Sequence, residues 1–290
     1  EGCLLAVPEL LEKAQDAFEK ALELDPKSSE AYYWISMMHI GRKEHNRAVE
    51  AARTAIELDP SNASGHAALA RAYWFGKGML DEGITELEHT VALAPDSGYA
   101  YLQLALLYTL RERYERAEHA ANKAVELQQS ALSGSEGLQI LGAHIRLGYV
   151  YYRQHRLDEA IEQFQVGLSF LDSTGHALRD RTLIEAHQKL SAAYHCQGDR
   201  EGADRHYELA VRGFKDRVGM GVNDGSTTYY IASLHGLRGD AEAAVKYLAK
   251  AIELLPALAR VRAEIDPDFD PVREEAAFTA LMAGTPAATA

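Results

Sequence analysis

The side chains best suited to chemistry in this sequence are twelve histidines, two cysteines and several close acidic pairs. Histidine, cysteine and carboxylate together could hold a metal, but no HExxH, CxxC or comparable ligand spacing occurs. His66, His144 and His187 instead recur at one position of a repeating pattern, which reads as structural. Glu201/Asp204 and Asp158/Glu159/Glu162 could act as general acids and bases. On helix faces they read as solvated charges. The glycine-rich stretch 219–225 could cradle a phosphate, but it follows a helical pattern rather than a strand and lacks the Lys-Ser/Thr ending. It reads as a connector. Cys3 and Cys196 are too few for a disulfide framework, and Cys196 falls in an apolar helical pattern that predicts a buried or half-buried thiol. Neither catalysis, nor a metal, nor a cofactor is expected.

The remaining chemistry is that of contact, and the elements that position it are periodic. Ala14-Phe18-Ala21-Pro26 recurs as Ala48-Ala52-Ala55-Pro60, Gly83-Leu87-Thr90-Pro95 and Ala244-Leu248-Ala251-Pro256, always with spacing 4, 3 and 5. A second pattern with spacing 3, 1 and 3 precedes the closures: Tyr32-Ile35-Ser36-His39, His66-Leu69-Ala70-Tyr73, Tyr101-Leu104-Ala105-Tyr108, His144-Leu147-Gly148-Tyr151 and His187-Leu190-Ser191-Tyr194. Apolar residues at i, i+3, i+4 and i+7 mark one buried stripe on each of two antiparallel helices. Small residues sit where the helices cross, and Asp-Pro stops the second helix because proline biases its predecessor away from helical geometry.

These motifs resemble the tetratricopeptide repeat, with its 34-residue pattern of an aromatic, Leu-Gly/Ala, Tyr, Ala, Phe and Ala-then-Pro. The resemblance covers about residues 9–256 and implies an all-α fold, a right-handed solenoid of antiparallel helix pairs. The first copies step by 34 and 35 residues; from Leu104 onward the step is 43, 43 and then 41. About eight extra residues per repeat predict two more helical turns or longer connectors, around Gln128–Gln139, Asp172–Arg181 and Asp216–Gly225. Gly76-Lys77-Gly78 reads as the turn absorbing the one-residue insertion between Ala70 and Gly83. Residues 1–28 read as the second helix of a partial repeat, from a fragment in preference to a cap. Residues 29–131 are three repeats, 132–256 three longer ones, 257–283 a closing segment and 284–290 a frayed tail. The closing stretch Asp266-Pro267-Asp268-Phe269-Asp270-Pro271-Val272-Arg273 resembles the end of bacterial arrays of this family. Phe269, Val272, Phe278 and Leu281 would cover the last apolar face, as a terminal repeat requires.

Such an array offers the face of its first helices to a partner. Tyr33 and Met37, Ala67, Arg71 and Trp74, and Tyr99, Leu102 and Leu106 are expected on it in the first three full repeats. Ile145, Tyr149 and Tyr152, then Gln188, Ala192 and His195, then Tyr229 and Ser233 follow. Tyr, Trp, Met and Arg are types enriched at interfaces. Family members that clamp an acidic chaperone tail use Lys and Asn at such places. Here Tyr33, Met37, Ala67, Ala68, Arg71, Leu102 and Gln103 stand there, and Arg71 alone is cationic, which favours an apolar or aromatic peptide or helix instead.

Charge narrows the partner. With 30 Lys+Arg against 43 Asp+Glu the formal charge is −13, and no basic run offsets it. Nucleic acid and anionic membrane surfaces are therefore disfavoured. No stretch approaches the roughly 18 apolar residues of a membrane span, and the cysteine usage suits the cytoplasm. The expected function is a scaffold binding a protein or peptide, with a homo-oligomer possible. The alternative is a sensor or regulatory region of a larger bacterial signalling protein, such as a kinase, cyclase or transcriptional regulator. An enzyme in its own right has no motif to support it.

Overall fold

A computed structural model describes residues 8–133, 140–173, 178–222 and 224–284. They form two compact units, Glu1–Leu107 and Tyr108–Ala290. No strand occurs among the described residues.

Unit 1 contains α1 (Pro8–Leu24), α2 (Ser29–Gly41), α3 (His45–Leu58), α4 (Ala63–Arg71), α5 (Leu80–Leu93) and most of α6 (Gly98–Leu110). Ser28 and Asn62 cap α2 and α4, their side chains accepting from the backbone N–H of Ala31 and Gly65. The fully buried Ala48, Ala52 and Ala55 leave α3 a flat face on which α2 and α4 close. Between α2 and α3 the Ser36 hydroxyl donates to the Ala48 carbonyl at 2.8 Å.

The extra residue of the second repeat is not taken up by the Gly76-Lys77-Gly78 turn alone. Residues Ala72–Lys77 continue α4 as a wide π-helical segment, and Gly78, at φ 69°, ends it. A π turn holds one residue more than an α turn. Gly78 itself belongs to a series. Lys43, Gly78, Glu112, His155, Gly198 and Gly239 all have positive φ, and each lies five residues before the small residue that opens the following helix's stripe.

Unit 2 holds α7 (Tyr114–Ser133), α8 (Ala143–Arg153), α9 (Leu157–Asp172), α10 (Arg179–Gln197), α11 (Arg200–Gly219), α12 (Gly225–Leu237) and α13 (Ala241–Leu254). Of the extra length, a visible part is helix: α7, α10 and α11 run 20, 19 and 20 residues against 13 or 14 for α2 and α3. Positions 134–139, 174–177 and 223, where longer connectors were also expected, lie outside the described residues. Gly148 is required by its neighbour, since a Cβ there would stand 2.6 Å from the Phe164 ring.

Pro256 starts a further helix, α14 (Pro256–Ile265), directly after α13. A 3₁₀ segment, Pro267–Val272, and α15 (Ala276–Met282) follow. Phe269, Val272 and Phe278 are buried against Tyr229, Tyr230, Leu248 and Ala251, with Leu281 at the margin. Arg273 holds this return in place: its guanidinium donates to the carbonyls of Ala263, Glu264 and Asp266 and to the Asp270 carboxylate.

Candidate functional site

The first-helix side of unit 1 is built by α2, α4 and α6. Its exposed aromatic residues are Trp34, 41% accessible, and Tyr99, 38%. Trp34 meets Tyr33 edge-on at 4.7 Å, and Arg71 lies 5.6 Å over the ring of Phe75. Tyr33, Arg71, Phe75 and Leu102 are half-buried. Met37 and Leu106 are buried, Met37 in one cluster with Ile40, Ala68 and Tyr73 against which Tyr33 and Phe75 pack.

Trp74 is buried as well. It lies against Gly83, whose hypothetical Cβ would come within 2.7 Å of the Trp74 Cβ, and its Nε1 has no hydrogen-bond partner among the described residues. The register accounts for this: Ile40, Thr109 and Tyr152, which hold the same position in ordinary α-helices, are buried as well, and Phe75, one residue on, is half-buried. Trp34 and Phe75 thus join the face without having been counted on it. Each stands one residue after a counted position, and a helix advances about 100° per residue.

In unit 2 three of the same positions, Tyr152, Gln188 and Tyr229, meet the chain's own C-terminal return. Tyr152 is buried and its hydroxyl donates to Asp268 Oδ1 at 2.7 Å. Gln188 donates through Nε2 to Asp268 Oδ2 and to Ser233 Oγ, both at 3.1 Å. Tyr229 donates to Asp266 Oδ2 at 2.9 Å, and Tyr149 accepts from Arg153 at 3.3 Å while stacking on Tyr152. Ile145 and Ala192 are buried, and Ile145 packs on Gly167. His195 is exposed. Desolvation and the neighbouring Asp266 push the Asp268 carboxyl up to about 6, although Lys189 and the Tyr152 hydrogen bond pull the other way.

The histidines at the repeated position each have a partner from the second helix of their pair. His66 Nδ1 lies 2.7 Å from Glu86, His144 Nδ1 2.9 Å from Gln163, and His187 Nδ1 3.0 Å from His206 Nδ1. Among the described residues no three His, Cys, Asp or Glu side chains are placed to hold a metal ion. Glu201 and Asp204 are exposed, Asp204 paired with Arg238, and Glu159 is paired with Arg156. Cys196 is exposed at the end of α10 and not in the core, because the helix stops at Gly198. Its sulfur faces the Tyr152 hydroxyl at 3.7 Å. No described helix is long and apolar enough to cross a membrane.

Tetratricopeptide-repeat family models match residues 9–63 and 96–173. The mitochondrial import receptor subunit TOM70 of Homo sapiens is 24% identical over 124 residues, which are 42% of this chain and 20% of that protein. The match therefore spans about a fifth of that relative's length. The solved Cut9–Hcn1 hetero-tetramer of the APC/C superposes with a TM-score of 0.60 at 14% identity, over 90% of this chain and 46% of that one. The type IV pilus biogenesis factor PilW gives 0.53 at 16%, over 80% and 97%. PilF of Pseudomonas aeruginosa gives 0.52 at 19%, over 81% and 97%. These likenesses carry the fold, an all-α solenoid of helix pairs, and the two matched stretches are similar to tetratricopeptide repeats.

Proposed function

We propose that this protein is an interaction scaffold whose first-helix side in unit 1 holds an apolar or aromatic-containing peptide or helix of a protein partner. The fold supports a protein-interaction role in general. The observation favouring this face is the exposure of Trp34 and Tyr99 beside half-buried Tyr33, Phe75 and Leu102, with Arg71 as the local cation. Large rings with few rotors give contact area at low entropic cost. The reading has the partner as protein, not nucleic acid or membrane, in the cytoplasm, and leaves no cofactor or reaction to the chain.

Peptides selected from a display library against the full chain provide the test. Trp34→Ala and Arg71→Ala should each weaken the selected peptides about tenfold, while circular dichroism and melting stay unchanged. Trp74→Ala is unsuitable, because that ring is core. Peptides whose affinity ignores both surface substitutions would overturn the reading.

A further inference from the structure

Two successive second helices of unit 2 begin in step and end out of step. Gly198 and Gly239, both at positive φ, stand five residues before Ala203 of α11 and Ala244 of α13. From those alanines α13 runs ten residues further, to Leu254, whereas α11 runs sixteen, to Gly219. Positions 214–219 of α11 therefore have no counterpart in α13, an overhang of about 9 Å at 1.5 Å per residue. Val218 within it is 44% accessible, and Met220 just beyond it 67%.

A groove of 310 Å³ opens beside the overhang. It is lined by Phe214, Lys215 and Val218 of α11, by Tyr247 and Lys250 of α13, and by the buried Thr228 of α12. The Phe214 and Tyr247 rings meet edge-on at 5.8 Å. Although the chain carries a net charge of −13, the charged residues in the groove are both lysines. Lys215 has no ion-pair partner among the described residues, and the Tyr247 hydroxyl has no hydrogen-bond partner there. Lys250 meets Glu253 at 2.6 Å on the exposed side of α13, which occupies one of the three donors of its ammonium.

We propose that this groove docks a segment of a protein partner that anchors by apolar side chains and carries Asp or Glu beside them. The volume stands at the low end of the roughly 300–1,000 Å³ of small-molecule sites, and the exposed walls at Val218 and Lys250 leave it open, which suits inserted side chains better than an enclosed ligand. Lysine stems can lie along apolar surface while their ammoniums stay in water. An acid beside each anchor would meet such a rim without either charge being buried. The groove is made chiefly by second helices of unit 2. It shares no residue with the first-helix face of unit 1, and neither reading depends on the other.

The test is selection of peptides from a display library on the full chain, keeping those that lose affinity for the Val218→Glu variant. Val218 is exposed, so that variant should melt as the wild type does; if it does not, the double variant Lys215→Glu/Lys250→Glu provides the same subtraction. The selected peptides should carry apolar side chains flanked by Asp or Glu, and weaken at least about tenfold on the double variant. Replacing their acids by Lys should restore binding to that variant, a rescue that a folding defect would not give. Trp34→Ala and Arg71→Ala should leave them unaffected. The proposal is overturned if no peptide is sensitive to the groove variants, if the sensitive ones lack acids or are not rescued, or if they depend on Trp34. A wild-type dimer in sedimentation that Val218→Glu dissolves would make a second copy the occupant and overturn it equally.

Discussion

The two compact units give the same repeat positions different surroundings. In unit 1, Tyr33, Arg71, Tyr99 and Leu102 keep part of their surface in solvent. In unit 2, Tyr149, Tyr152, Gln188 and Tyr229 are buried, and the last three are bonded to or beside a segment that returns from the C-terminus. Repeat register decides which side of a helix a residue occupies. Whether that side becomes a surface or an interior depends on what another part of the chain lays over it.

Removing the returning segment's anchor should disturb that contrast most. Phe269 is fully buried between Tyr229 and Phe278, so Phe269→Ala should destabilise unit 2 by about 3–5 kcal/mol and raise hydrogen exchange in α12 and α13. Exchange in unit 1 should stay as it was, and a uniform rise across the chain would contradict the division. Gly148→Ala comes next. The new methyl would meet the Phe164 ring and cost about 1–3 kcal/mol, whereas unit 1 already carries Ala70 and Ala105 at that position. Adding Phe164→Leu should recover part of the loss in a double-mutant cycle, and strict additivity would refute the contact.

The pH dependence of unit 2 sharpens the comparison by sign. Asp268 is raised from 3.8 to about 6, so its contribution to stability is full below 3.8 and lost as pH rises through 6. His206 is lowered from 6.5 to about 4, by burial first and by His187 and Arg205 beside it. Its contribution is full above 6.5 and lost as pH falls through 4. Between pH 4 and 6 the two oppose each other. Asp268→Asn should therefore leave a melting temperature that climbs with pH, and His206→Gln one that declines. Parallel profiles for the two variants would exclude this assignment.

The smallest effect concerns the turns between paired helices. His155 is exposed and adopts φ 57°, where Gly198 and Gly239 stand in other turns of the series. His155→Gly should stabilise by about 0.5–1 kcal/mol, since a Cβ is disfavoured in that conformation, and urea denaturation is precise enough to read it.

Much of this was legible from spacing. The stripe from Ala48 to Pro60 identifies α3, and the Tyr101 to Tyr108 pattern identifies α6, because helix pairing writes its period directly into side-chain size. The face itself was only partly legible. Trp74 was expected outward, but its position in the repeat is buried at Ile40, Thr109 and Tyr152 as well, and a ring type enriched at interfaces does not reveal that packing. The filling of unit 2 depends on Tyr152 meeting Asp268, 116 residues away. Periodicity within a helix carries no information about such a pairing. The Asp-Pro-Asp-Phe-Asp-Pro stretch did signal a closing segment, but not which tyrosines its carboxylates would meet.

The wide turn at Ala72–Lys77 bears on how such chains change length. The inserted residue is confined to one loop of helix, and α5 still opens with its stripe residue Gly83 five positions past Gly78, as in the other turns of the series. A single-codon insertion can therefore be accommodated as a local change of helical pitch, leaving the pairing downstream intact. Insertions elsewhere in α4 should be tolerated where a π turn can form and rejected where the widened backbone would meet a neighbouring helix.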